Sequence, residues 1–340
     1  MTPFNDETLT SWLYRVSHQR ILHGFRRETI LPKLEFSWGG PVVQSIDFDF
    51  DFASDFFQLV VERLGLDPSK LQVFFSPARH KRIVDWPRRT LFCKSCIVSD
   101  IASGQLPGWR KSWCYRDAIL CSVHHVTLCQ LEYPSAASKS WDAFVQGVYG
   151  KSPKMTNEIE RLIRLLYILS NRILDRKRQC SISDVNLFDN LYDVFLMART
   201  LRHRAGVAHF VFGDKPVAQV GRIATYVDSI LYGAETSDSW ARCGSLLLTA
   251  YVMGLIRDYE IELIEAASRS ANLNFPNGKS IISVIYFGCG RSSDYEFLYD
   301  HLGGFKRPPG SRVDNLFGRL EKHGVRHFFR DFTFGQASLF

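Results

Sequence analysis

Leu9, Trp12, Leu13 and Val16 recur at i, i+3, i+4 and i+7, which is the spacing of one buried helix face. Asn5 or Asp6 is the expected N-cap, with Asp6 and Glu7 in the first turn. On this reading Trp12 is a core anchor, and Arg15, His18 and Arg20 lie on the surface. The segment HGFRRETILPKL, with Arg26 and Arg27, predicts a second short helix. Short helices with a glycine-containing turn between them are compatible with a helix-turn-helix. The period then changes. Asp47, Asp49 and Asp51 alternate with Phe48, Phe50 and Phe52, which predicts a strand with one apolar face and one solvated acidic face. The rings from Phe48 to Phe57 exceed what a small core needs, so Phe56 and Phe57 are candidate anchors of a protein contact.

Helical periods dominate the second half. TNEIERLIRLLYILSNRILDRKRQ predicts a helix capped by Thr156 with a basic end at Arg176, Lys177 and Arg178. A second helix is expected from Ser183 or Asp184, followed by a long, mostly helical stretch from Asp238. RVDNLFGRLEKHGVRHFF reads as short and amphipathic. One run departs from this pattern: SIISVIYFGCGRSSD is apolar and β-branched and ends in Gly-x-Gly. Asp294 stands where the dinucleotide fingerprint needs its third glycine, and no βαβ alternation surrounds the run. It is read as a turn closing a buried segment. A methyl-donor-dependent transferase using FGCG is the alternative from another class. No nucleophile elbow, Walker loop or metalloprotease helix is present, so no enzyme is expected.

The 340 residues are 46% hydrophobic, enough for a sizeable core without disulfides. The opening MTPFNDETLT has no basic or apolar leader region, and no apolar run approaches the ~18–20 residues of a membrane span. A cytoplasmic location is expected. The net charge of +7 suits a polyanionic partner.

Against that background the thiols are concentrated. Leu91–Cys129 holds five of the eight cysteines. Cys93-x-x-Cys96 is followed by Cys121-x-x-His124, and such knuckles supply the four ligands of a tetrahedral Cys3His site. Four protein ligands leave no open position, so one structural zinc is expected, its binding coupled to folding. His125 adjoins His124 and is the competing ligand. Cys114 and Cys129 read as small buried hydrophobes. A redox Cys-x-x-Cys would open a helix in a βαβ unit, which is not visible. Trp109 and Trp113 share a helical spacing and are expected to pack over the metal, leaving Arg110 and Lys111 for phosphate. Ser76–Thr90 is the densest basic run. Its Arg79, Lys81, Arg82, Arg88 and Arg89 are candidates for contact with a nucleic-acid backbone or an acidic partner, an exposed linker being the alternative.

These motifs together resemble the TniQ/TnsD family of transposon target-site selectors. The resemblance runs over roughly residues 3–134 and is carried by PFNDETLTSWLYRVS, VERLGLDPSKLQVF, CKSC, Asp100, GWRKSW and CSVHHVTL. It departs where the family usually has glycine after the last ligand and this chain has His125. Together with the helical periods of the second half, it gives a mainly α expectation: a helix-turn-helix-like N-terminal domain (1–90), an inserted zinc segment (91–134) and, from periodicity alone, an all-helical C-terminal domain (135–340). It also implies a non-catalytic adaptor, often a homodimer. Such an adaptor docks on an RNA-guided CRISPR surveillance complex and its guide RNA, or reads a DNA attachment site, and recruits an AAA+ ATPase. Longer members tend to be the DNA readers, so this length leans towards docking.

Overall fold

The structure, a computed structural model, describes residues 2–22, 47–79, 81–132, 139–150, 155–201, 203–213, 219–221, 223, 225–278, 281, 292–305 and 308–322. The chain divides into two compact units, Met1–Lys154 and Met155–Phe340. Both are mainly helical.

The first unit opens with α1 (Leu9–Leu22). Leu9, Trp12, Leu13 and Val16 are buried as their spacing requires. The helix starts later than its acidic residues suggest, because those residues are engaged elsewhere. Asp6 has φ 92°; its carbonyl accepts from the Lys111 amide at 2.6 Å and its carboxylate from the Ser112 amide at 3.2 Å. Glu7 and Arg110 form a single antiparallel bridge.

Arg15, expected at the surface, is fully buried. Its Nε lies 3.0 Å from Glu7 Oε1, and its other nitrogens donate to Gln105 Oε1 and the Thr2 carbonyl. The Phe4 ring lies 3.5 Å from the Arg15 guanidinium carbon and 4.4 Å from that of Arg110. Burial pushes the Glu7 carboxyl above its ordinary range, and Arg15 works against that. A buried charge is tolerable only with such a partner. His18 is half-buried, with Nδ1 3.0 Å from the Tyr14 carbonyl. The Arg20 side chain and the helix expected around Arg26 and Arg27 lie outside the described residues.

The alternating acidic segment is not a strand. Asp47 Oδ1 accepts from the amides of Asp49 and Phe50, so the short acidic side chain competes with sheet pairing and folds the chain into a turn. Asp49 is buried rather than solvated. It accepts from the Thr10 amide at 3.0 Å and from the Thr10 hydroxyl at 2.6 Å. Arg89 reaches both acids, with Nη1 2.7 Å from Asp49 Oδ2 and Nη2 against Asp47. Burial opposes the Arg89 charge, but the carboxylates of Asp49 and Asp47 offset it and keep the guanidinium protonated.

Two short helices complete this layer. Ser54 caps α2 (Asp55–Leu64), and Gly65 ends it at φ 63°. Asp67 caps α3 (Pro68–Phe75), which starts on a proline. Phe56 and Phe57 are buried in the same core as Trp12, Phe48, Phe75 and Trp86. The rings expected to anchor a partner therefore fill the core, each contributing about 1.5–3 kcal/mol by burial.

The rest of the unit comprises β1 (Leu91–Phe92), α4 (Lys94–Ala102), β2 (Cys129–Gln130) and α5 (Lys139–Tyr149). β1 and β2 pair antiparallel, Leu91 with Gln130 and Phe92 with Cys129. The Gln146 side chain of α5 bonds the Glu132 amide and the Gln130 carbonyl. The boundary expected at 134/135 thus falls inside this unit.

In the second unit, α6 (Asn157–Arg178) is capped by Thr156 and buries Leu162, Ile163, Leu166, Leu169 and Ile173. The cap of α7 (Ile182–Phe195) is Ser181, whose hydroxyl accepts from the Asp184 amide, not the later residues expected. α8 (Tyr226–Thr236) precedes α9 (Ser239–Val252), almost every residue of which is buried. Gly254, at φ 70°, breaks the long helical stretch before α10 (Asp258–Ser270), and α11 (Ser292–Gly303) follows. The FGCG run lies outside the described residues. Among the described residues no helix is long and apolar enough to cross a membrane.

Arg89→Met leaves the buried Asp49 and its neighbour Asp47 without their cation. Denaturant unfolding of the variant is expected to show a loss of about 3–5 kcal/mol.

Candidate metal centre

Two local structures bring four donors together. Cys93 is the N-cap residue of α4, so Cys93 and Cys96 share the first turn, where the helix dipole favours thiolates. The second pair sits on a tight turn between Leu120 and Thr127, which form a single antiparallel bridge. There the Cys121 amide donates to the Val126 carbonyl, and the His125 amide to the Cys121 carbonyl, each at 2.8 Å. The β1–β2 pair places this turn beside α4.

The donor atoms of Cys93, Cys96, Cys121 and His124 all lie within 4.8 Å of one another. His124 Nδ1 is 3.6, 3.2 and 3.7 Å from the sulfurs of Cys93, Cys96 and Cys121, and the sulfurs of Cys96 and Cys121 are 3.6 Å apart. Metal–sulfur bonds of ~2.3 Å and metal–nitrogen bonds of ~2.0–2.1 Å set tetrahedral edges of about 3.5–3.8 Å. The residues present fit a four-coordinate metal ion. Their electrostatics point the same way. Hydrogen bonding to Cys121 pushes the Cys93 thiol up to about 12 and pushes Cys96 up as well. Hydrogen bonds from Cys93 and Cys96 hold Cys121 far below the ordinary thiol range. A bound cation would replace the thiol protons.

The geometry separates the two histidines. His124 faces the sulfurs, whereas His125 is exposed and adopts φ 54°. That left-handed conformation is the one glycine takes without strain. Of the remaining cysteines nearby, Cys114 is buried as expected, but Cys129, on β2, is exposed. The Trp109 and Trp113 rings are buried and meet edge to face at 5.5 Å. They do so from a loop and a single helical turn, Lys111–Cys114, not from a regular α-helix.

The expected nucleic-acid contacts divide. Arg89 is buried on Asp47 and Asp49, which corrects the expectation that it faces phosphate. Arg110 bonds Asp100 Oδ1 at 2.6 Å and is mostly covered. Lys111 donates to the carbonyls of Phe74 and Ser76 at the end of α3. Lys81 is half-buried against Asp117. Arg82 and Arg88 are half-buried and Arg79 is exposed. The run is no free linker: the Val84 amide donates to the Cys114 carbonyl and the Arg116 amide to the Arg82 carbonyl, both at 2.8 Å.

The same contacts explain why the opening residues belong with this segment. The Trp109 amide donates to the Ser11 hydroxyl, and the Thr8 amide to the Trp109 carbonyl. Asp100 takes both Arg110 and the Gly108 amide. Glu7, Arg15, Asp100 and Arg110 thus form one charged cluster that joins the PFNDETLTSWLYRVS and GWRKSW motifs through Asp100. A family model described as TniQ matches residues 1–128.

This stretch is similar to TniQ domains.

The match agrees with the resemblance carried by the motifs. No curated protein and no solved structure gives a significant match to the chain. The TniQ match ends before α5, although α5 packs within the same unit. Sequence reasoning missed the cluster partners Glu7 and Arg15. The available signal was an arginine flanked by Leu13, Tyr14 and Val16, with an acid about two turns before it.

His124→Ala is expected to abolish stoichiometric metal binding, whereas His125→Gly retains one metal per chain. Elemental analysis of the purified proteins distinguishes them.

Proposed function

We propose that the chain is a non-catalytic adaptor of transposition target-site selection, stabilised by one structural zinc on Cys93, Cys96, Cys121 and His124. The observation that carries this reading is the TniQ match over residues 1–128 enclosing a complete Cys3His donor set. Four protein donors occupy all positions of a tetrahedral ion, so the zinc holds α4 and the 120–127 turn together and has no position for substrate. Three thiolates and an imidazole suit zinc among the common divalent ions.

The adaptor joins a target-recognition partner, an RNA-guided CRISPR complex with its guide RNA or a DNA site, to an AAA+ ATPase. It acts in the cytoplasm as a homodimer. Of the basic residues, Arg79, Arg82 and Arg88 have the exposure that a phosphate or acidic-partner contact requires.

The test is an insertion assay in cells carrying the cognate transposon. Deleting this chain is expected to abolish targeted insertion while the transposase and ATPase remain present. Unchanged targeted insertion overturns the reading. Cys93→Ser is expected to give an insoluble or protease-sensitive chain, read by limited proteolysis, because metal binding and folding of this segment are coupled.

A further inference from the structure

The second unit lies beyond the TniQ match. Its helices α6 and α10 meet along a seam closed by Glu260, a buried acid of α10 that takes Arg172 and Arg176 of α6. The inner sides of both helices are committed to the core, α6 through Leu162, Leu166 and Leu169 and α10 through Ile261 and Ile264. Outside the seam the surface does not turn wholly polar. Ile168 is 54% exposed, Tyr259 50% and Leu263 52%. Single exposed apolar residues are ordinary, but these three are connected. Ile168 stands one turn before Arg172 and Leu263 one turn after Glu260, so the Arg172–Glu260 pair joins them across the seam. Tyr259 stands one turn before Leu263 on the same face.

We propose that this outer face of α6 and α10 docks an acidic amphipathic helix of a partner protein. The proposal concerns residues outside the TniQ match and goes beyond the adaptor reading.

Charge selects the partner. Arg164 and Arg172 stand one turn to either side of Ile168, and Arg161 one turn before Arg164. Arg161 is exposed and makes no salt bridge among the described residues. Arg164 reaches only Glu160, at 3.7 Å with both side chains largely exposed, a contact worth little in water. Arg172 is 44% exposed, and a guanidinium carries five donors, more than Glu260 takes up. Glu262 and Glu265 point from the side of α10 away from Glu260, and Glu265 is paired with Arg269. The arginines around Ile168 therefore keep donors for outside carboxylates, which they grip two bonds at a time. The apolar residues select the form of the partner. Half-exposed side chains one turn apart fit anchors that recur at i, i+4 and i+7 on a docked helix, and tyrosine and arginine are residue types that dominate binding energy at interfaces. A phosphate backbone would engage the arginines but leave Ile168 and Leu263 in water.

A phage-displayed library of short helical peptides with randomised outer positions is selected on the full chain. The enriched peptides are expected to carry Asp or Glu beside apolar residues at helical spacing. One such peptide, synthesised with a fluorophore, is then titrated by anisotropy. Leu263→Asp is expected to weaken its binding by about tenfold or more. Arg161→Glu with Arg164→Glu is expected to weaken it as much, and to bind instead a version of the peptide whose acids are replaced by lysine. All three side chains are exposed, and helical circular dichroism checks that each variant is folded. No enrichment of acidic amphipathic helices, or equal binding of the peptide by the variants, overturns the proposal. So does a random-sequence DNA duplex that displaces the peptide from wild type and loses binding in the arginine variant, because the face would then belong to nucleic acid. None of these readouts involves transposition, so their failure leaves the adaptor reading standing.

Discussion

Three buried sulfurs and one imidazole nitrogen within a few ångströms form the constraint on which the first unit depends. Thiolates at this spacing repel, and burial makes each more costly. A divalent cation would remove the conflict and turn four converging side chains into a cross-link between the start of α4 and the turn after Leu120. This arrangement gives the two-residue β1–β2 pair a fixed partner. Strands this short do not persist in isolation. The same unit holds residues 108–112, against which the start of α1 is registered by backbone and charge contacts.

Much of this centre was legible in the sequence because its chemistry is local. Cys-x-x-Cys and Cys-x-x-His are each a single turn of chain, and the three thiol ligands need no knowledge of the fold. The choice of His124 over His125 was not legible, because it depends on which residue takes the left-handed position of a tight turn. The two arginines expected outside and found inside, Arg15 and Arg89, fail for a different reason. A pattern of apolar positions assigns every charge to solvent, and the acids that make burial tolerable for Arg89 are remote in sequence. The acid–phenylalanine alternation misled in the same way. A period of two describes a strand only if the backbone is free to pair, and Asp47 captures two amides of its own segment first.

The second unit was read correctly as helical, because long amphipathic periods survive without tertiary information. Its details depended on caps and breaks. Ser181 takes the α7 cap because its hydroxyl reaches the Asp184 amide, and Gly254 divides one apolar run into α9 and α10. α9 is the element least constrained by periodicity, since it is buried on nearly every side and shows no polar face. The helical layers of this unit thus rest on packing, whereas the first unit combines a small core with a candidate metal site and buried charges.

Gly108 bears on how relatives of this domain can be recombined. A Cβ at that position would stand 2.6 Å from the Phe4 ring and 2.7 Å from the Arg110 guanidinium. Phe4 in turn lies between Arg110 and Arg15. The opening residues and the GWRKSW motif are therefore two halves of one steric lock. A chimera that takes its N-terminus from one parent and its metal segment from another must inherit positions 4, 15, 108 and 110 as a set. A crossover between them separates residues that fit only each other.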